Sequence, residues 1–166
     1  MDILQAIGNT SLVQLRKVVP RDCAGIFVKL EWENPTGSLK DRMARAVILK
    51  AEEDGRLKAG DTVVEYTGGS TGTSLALVCA ARGYRLRIVT SDAFSAEKRD
   101  HMAALGADLT LVPSEGGLTT RKLILDMIEA ARQLSREPHT CWTDQLNNLD
   151  SIAGYAFVAD LYAAMN

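Results

Sequence analysis

The stretch Thr62-Val63-Val64-Glu65-Tyr66-Thr67-Gly68-Gly69-Ser70-Thr71-Gly72, continued by TSLALVCAARGYRLRIVT to Thr90, decides the fold. Thr62 to Glu65 is a short β-branched run and reads as a strand. A glycine-rich turn, Thr67 to Gly72, follows it. Thr71 to Arg82 is rich in Ala and Leu, both strong helix formers, and Gly83 stops it. Arg85 to Thr90 is strand again. Two strands joined through a helix must lie parallel in one sheet, with the helix as crossover.

The same alternation continues downstream. Ser95 to Leu105 is a helix ended by Gly106, and Asp108 to Val112 a strand stopped by Pro113. Thr119 to Leu134 is a long amphipathic helix with Leu123, Ile124, Met127, Ile128 and Ala131 on its apolar side. Thr140 to Trp142 is a last short strand and Asp150 to Ala164 a final helix. Upstream, Leu12 to Leu15 and Ile26 to Trp32 read as strands, with Ile26, Val28, Leu30 and Trp32 on one face by period 2. The loop Asn34-Pro35-Thr36-Gly37 leads to a helix that Ser38 and Asp41 start as a variant capping box. That helix runs to about Asp54, with Met43, Val47 and Ala51 on one stripe and Gly55 at its end. The fold class is α/β, a three-layer arrangement of a parallel sheet flanked by helices. The opening strands need not belong to that sheet.

Composition narrows the function classes. The 166 residues are 46% hydrophobic, 24% charged and 5% aromatic. That profile excludes collagen, a disordered tail and a coiled-coil rod. The formal net charge of -2 gives no basic excess, so neither a nucleic-acid nor a membrane surface is expected. No stretch approaches the roughly 20 apolar residues of a membrane span. The first residues show no signal peptide. Cys23, Cys79 and Cys141 are odd in number and widely spaced, as reduced thiols are. A cytoplasmic location is the expectation.

Three segments could carry chemistry. In the first, Thr67 to Ser74, glycines let backbone N–H groups approach an anion, and the start of the helix adds free N–H groups and partial positive charge. The spacing fits neither the dinucleotide fingerprint nor the Walker loop. A carboxylate or phosphate is the general expectation, and a turn that merely needs glycine the alternative. In the second, Asn34 to Arg42, Lys40 falls in a first helical turn, the end that disfavours a cation. Such a placement suits a nucleophilic lysine, which reacts as the free amine; a solvated surface lysine is the alternative, with Asp41 and Arg42 as helix-start partners and surface charges. The third, Asp144-Gln145-Leu146-Asn147-Asn148, follows a strand at its carboxyl end, where ligands bind in such sheets. It either holds a carboxylate or caps a loop. His139 and Cys141 lie two apart with no further ligand pair nearby, so no metal site is expected.

The order of the motifs carries a resemblance. Ile7-Gly8-Asn9-Thr10-Ser11-Leu12, then Lys29-Leu30-Glu31, then Asn34-Pro35-Thr36-Gly37-Ser38-Leu39-Lys40-Asp41-Arg42 resembles the opening of the cysteine synthases. These belong to the fold-type II family of pyridoxal-phosphate enzymes, with cystathionine beta-synthase and threonine dehydratase as cousins. The glycine-rich turn looks like that family's substrate-carboxylate loop and Asp144-Gln145 like its later glutamine segment. The resemblance implies that Lys40 bonds to the aldehyde of pyridoxal 5'-phosphate and takes the substrate's α-proton. It implies that Thr67, Gly68, Gly69, Ser70 and Thr71 grip the carboxylate of a small amino-acid substrate, and that Gln145 helps them. Ser70 stands where the family commonly has an Asn that contacts the cofactor ring, so Ser70 is also a cofactor contact. Tyr155 stands where a His is frequent.

The implied reaction is β-replacement on an activated serine such as O-acetylserine, with sulfide as nucleophile and cysteine as product. Serine or threonine dehydration, a cystathionine beta-synthase-like reaction, and a non-catalytic remnant or anion-binding module of the same fold are the alternatives. The resemblance also implies a division into residues 1–35, strands of a larger domain; 36–149, the cofactor and substrate domain; and 150–166, a helix starting a truncated large domain. Family members continue beyond the position of Asn166 into a half that binds the cofactor's phosphate. A homo-oligomer or a complementing chain is therefore expected, together with apolar faces around Leu12 and Ile26 that lack partners.

Overall fold

The computed structural model describes residues 2–158. After a 3-10 turn at Ile3–Ala6, strands β1 (Leu12–Gln14) and β2 (Phe27–Lys29) pair antiparallel, with Val13 opposite Val28. The main body follows: α1 (Lys40–Glu53), β3 (Thr62–Tyr66), α2 (Ser70–Arg82), β4 (Arg85–Ser91), α3 (Ala96–Ala104), β5 (Ala107–Val112), α4 (Arg121–Leu134), β6 (Thr140–Trp142) and α5 (Asp150–Ala153). Strands β3 to β6 form one parallel sheet in the order β5-β4-β3-β6, separate from the β1-β2 pair.

Strand alternation builds the three layers. Val63 and Ile88 face a core with Ile48 of α1, Leu75 of α2 and Met102 of α3. Their neighbours Val64 and Val89 face a second core with Leu123 and Met127 of α4. Because both faces are covered, all five residues of β3 are buried, as the interior strand of a parallel sheet must be. Two glycines fix local geometry. Gly83 ends α2 at φ 77°, a left-handed conformation that glycine adopts freely. Gly72, inside the first turn of α2, lets Met102 close in; a Cβ there would lie 2.2 Å from Met102 Sδ.

The structure corrects the sequence reading in four places. The strand expected to reach Trp32 ends at Lys29, because the chain turns into a 3-10 segment at Glu31–Glu33 and leaves Trp32 64% exposed. The capping box does not form: Ser38 Oγ accepts from Lys40 N at 3.1 Å, but Asp41 turns back toward Thr36 and Ser74. Asp41 and Arg42 are not surface charges; they are 0% and 7% exposed, each because it finds polar partners inside. The last helix runs only over Asp150–Ala153 before a turn at 154–155, where Gly154 packs on the backbone of Arg42; helical backbone resumes at 156–158. The rest of that expected helix, 159–164, lies outside the described residues.

Candidate functional site

The site gathers at the carboxyl ends of β3 and β6, where α1 and α2 begin. Thr67 follows β3, is buried, and its Oγ1 accepts from Gly69 N at 3.2 Å. Gly68 and Gly69 are half-buried. The ring of Phe94 rests on Gly68, within 2.6 Å of where a Cβ would stand, whereas the same position on Gly69 is open. Ser70 opens α2, and its Oγ makes no hydrogen bond among the described residues. Gly72 N and Thr73 N both bond back to Gly69 O. The amides of Ser70 and Thr71 precede any residue that could accept from them inside the helix, so they are free for a ligand. No acidic residue stands in that first turn to compete for them.

Thr71 Oγ1 donates to Gln145 Oε1 at 2.6 Å, which joins the glycine turn to the segment after β6 across 74 positions of sequence. Gln145 N donates to Glu65 Oε2 at 3.0 Å, and Thr143 Oγ1 donates to the same oxygen at 2.6 Å. Glu65 is fully buried, and that burial raises its carboxyl above the ordinary glutamate value despite the donors around it.

Lys40 opens α1 and is half-buried. Its Nζ donates to Tyr155 Oη at 3.2 Å and lies 5.5 Å from that ring's centroid. Among the described residues it pairs with no carboxylate. The next residue, Asp41, is the seam to α2: it accepts from Thr36 N at 2.8 Å, from the Thr36 hydroxyl, and from Ser74 Oγ at 2.5 Å. Ser74 stands one turn beyond Thr71. The structure therefore brings the starts of α1 and α2 together through Asp41 and Ser74, and the start of α2 to Gln145 through Thr71. Lys40's own described contact is Tyr155. Sequence reasoning missed Glu65 and Phe94, named Ser74 only as the end of the glycine-rich segment, and misplaced Asp41. The one available signal was the acidic residue inside the otherwise uncharged strand run 62–66.

Behind α1, Arg42 forms a double hydrogen bond with Glu31: Nε to Oε2 at 2.8 Å and Nη2 to Oε1 at 2.9 Å. Thr10 Oγ1 donates to Glu31 Oε1 at 2.7 Å and Asn34 Nδ2 to Oε2 at 2.7 Å. Asn34 Oδ1 in turn accepts from Gly8 N at 2.8 Å. This cluster ties residues 8–10, 31–34 and α1 into one unit that carries Lys40.

A helix-initial lysine and a glycine turn with free amides thus stand at the carboxyl ends of the strands of a parallel α/β sheet, the end at which such sheets bind ligands. Residues 3–161 match the model of the pyridoxal-phosphate dependent enzymes, and the chain belongs to that family. It is 44% identical over 136 residues to a cysteine synthase of Staphylococcus aureus strain Mu50, covering 82% of this chain and 42% of the relative. It is 46% identical over 124 residues to the O-ureido-L-serine synthase of Streptomyces lavendulae, covering 75% of this chain and 38% of that one. Among solved structures, the cysteine synthase of Entamoeba histolytica superposes with a TM-score of 0.81 at 33% identity, covering 95% of this chain and 47% of that one. The chain thus spans less than half the length of these relatives.

Members of this family depend on pyridoxal 5'-phosphate. The residues present fit its aldehyde end: Lys40 Nζ is half-buried and unpaired with acid among the described residues, and its described partner is a phenol. The open face of Gly69 beside two free helix-start amides fits a carboxylate. Gly116 and Gly117 form the tip of a turn closed by the Glu115–Leu118 bridge, and α4 begins after it at Arg121, capped by Thr120.

Proposed function

We propose that this chain supplies the lysine and the carboxylate-binding turn of a pyridoxal-phosphate-dependent β-replacement site, making cysteine from an O-acetylserine-type substrate and sulfide. One observation carries it: the Asp41–Ser74 hydrogen bond sets the helix start bearing Lys40 beside the helix start bearing Thr71. Lys40 would hold the cofactor through Nζ, and Ser70 would face its ring. When bound, the cofactor supplies an electron-withdrawing ring that makes the substrate's α-proton acidic. Lys40 Nζ, once free, accepts that proton. The Ser70 and Thr71 amides, the Thr67 hydroxyl and the Gln145 side-chain NH2, which the Thr71 hydroxyl holds through Gln145 Oε1, orient the substrate carboxylate, with Gly68 and Gly69 giving the backbone its close approach. Residues 36–149 are the unit that does this, flanked by 1–35 and 150–166. A cytoplasmic setting, in keeping with three free cysteines among the described residues, belongs to the same proposal.

Loaded with pyridoxal phosphate and assembled with the second copy or complementing chain that supplies the rest of the site, the chain should form cysteine from O-acetyl-L-serine and sulfide. If saturating cofactor produces neither a bound-cofactor absorption band nor cysteine, the chain does not catalyse by itself, and the reading as an anion-binding module of the same fold gains. If α-keto acid appears in place of cysteine, the reaction is dehydration or elimination.

The apolar side chains of Leu12, Val13 and Phe27 on the β1-β2 pair are each at least 40% exposed. Exposed apolar surface of this kind favours association, and it supports a second copy or a complementing chain as partner. A solution mass above the 18.0 kDa of one chain is expected; a clean monomer under assay conditions would contradict the partner.

A further inference from the structure

We propose that Glu65 is a positioning residue: its carboxylate clasps both sides of a strained turn at Asp144 and so presents Gln145 to Thr71. This rests on the reading of Thr71 and Gln145 as carboxylate-binding groups.

Glu65 lies near the end of the central strand, fully buried, with no cationic partner among the described residues. A buried acid is costly to keep, and an apolar side chain would fill the space more cheaply. What the acid provides is acceptors. Oε1 takes the N–H of Tyr66 at 2.8 Å, its own neighbour. Oε2 takes Thr143 Oγ1 at 2.6 Å and Gln145 N at 3.0 Å. The residue between those two donors, Asp144, has φ 43°. That left-handed conformation is uncommon for a residue with a side chain and persists where its surroundings impose it. Glu65 holds the residue before it and the residue after it with a single oxygen. The turn so fixed points the Gln145 side chain at Thr71, 2.6 Å away. Asn147 N and Asn148 N hold Asp144 O, and Val64 O holds Thr143 N; Glu65 makes the side-chain bond that fixes Gln145 N itself, and without it Gln145 swings off the glycine turn.

The test uses the full chain loaded with pyridoxal phosphate. L-serine binding is read from tryptophan fluorescence, and exchange of the Gln145 amide hydrogen is read in the absence of L-serine. Glu65→Ala should weaken L-serine binding about tenfold and speed Gln145 exchange by a similar factor, the scale of one lost buried hydrogen bond to an ionised group. Thr143→Val preserves volume and folding, and should move both readouts the same way by a smaller factor. Glu65→Gln keeps its carbonyl as acceptor for Thr143 and Gln145 but turns its NH2 toward the Tyr66 N–H, and should keep binding closer to the parent than Glu65→Ala does, within about fivefold. In a Gln145→Ala background, Glu65→Ala should add nothing further.

Multiplicative losses in the double variant, or unchanged Gln145 exchange in both Glu65→Ala and Thr143→Val, would overturn the positioning role while leaving the carboxylate reading intact. Unchanged L-serine binding in Gln145→Ala would overturn the carboxylate reading and this role with it.

Discussion

Lys40→Ala is expected to abolish covalent retention of pyridoxal phosphate and to lower turnover by about 10⁴-fold, the upper range for losing a positioned acid–base group. Borohydride reduction of the loaded parent should add the cofactor's mass to the peptide containing Lys40. The same treatment of Lys40→Ala should leave every peptide unlabelled. The fold should hardly notice: Lys40 is half-buried and donates one described hydrogen bond, to Tyr155, so the change in unfolding free energy should stay within about 1 kcal/mol. That separation makes the result readable, because a stable protein without label implicates the amine and not the scaffold. Lys40→Arg sharpens it. Arginine keeps the charge at the start of α1 but remains protonated and offers no free amine, so it should fail as completely as alanine. Labelling at another lysine in the parent, or in the alanine variant, would remove Lys40 from the reaction.

The placement of that lysine was legible because it depends on short-range signals. Asn34-Pro35-Thr36-Gly37 breaks the chain and the apolar stripe of Met43, Val47 and Ala51 marks the helix, so the first turn falls at Lys40. The βαβ order was legible for the same reason: Gly83 and Gly106 punctuate it, and the core-facing residues of β3 and β4 alternate as the period requires. What escaped was every contact that a distant part of the chain completes. Asp41 looks like a surface charge until Ser74, 33 positions away, donates to it. Glu65 looks anomalous in a buried strand until Thr143 and Gln145 arrive from beyond β6. Local pattern reports which side chains are apolar, but it cannot report which polar ones have been matched elsewhere in the fold. The strand expected through Trp32 failed on the same ground. Alternation from Ile26 to Trp32 is good, yet Glu31 is needed by Arg42, and the backbone turns to deliver it.

That ion pair yields the second large effect. Arg42→Met should destabilise the protein by about 2–3 kcal/mol, less than the cost of breaking a fully buried pair from one side because Glu31 is part-buried. The loss is one-sided because Glu31 would stay enclosed with only Thr10 and Asn34 donating closely, and Lys29 no nearer than 4.0 Å. Acid titration gives an independent reading. Partial burial pushes the Glu31 carboxyl up, but hydrogen bonds from Arg42, Thr10 and Asn34 outweigh it and hold the group at about 2, against an ordinary value of 4.5. A carboxyl depressed in the folded state stabilises it fully above the unfolded value, and the contribution fades as pH falls from 4.5 toward 2. Because Glu31 is only part-buried, solvent screening keeps the contribution to about 1–2 kcal/mol, present at pH 7 and lost through that window. Urea unfolding of the parent at pH 7 and pH 3 should show this acid limb. Glu31→Gln should flatten it, with lower stability at pH 7 and little further loss at pH 3. Pairing Arg42→Met with Glu31→Leu should recover part of the deficit, since no charge is then stranded. If the pair recovers stability, Arg42 and Glu31 serve chiefly to set the path of residues 31–34, and cofactor labelling at Lys40 becomes the deciding readout. A stable double variant that labels poorly would show that this buried pair aims the lysine. One that labels normally would confine the pair to stability.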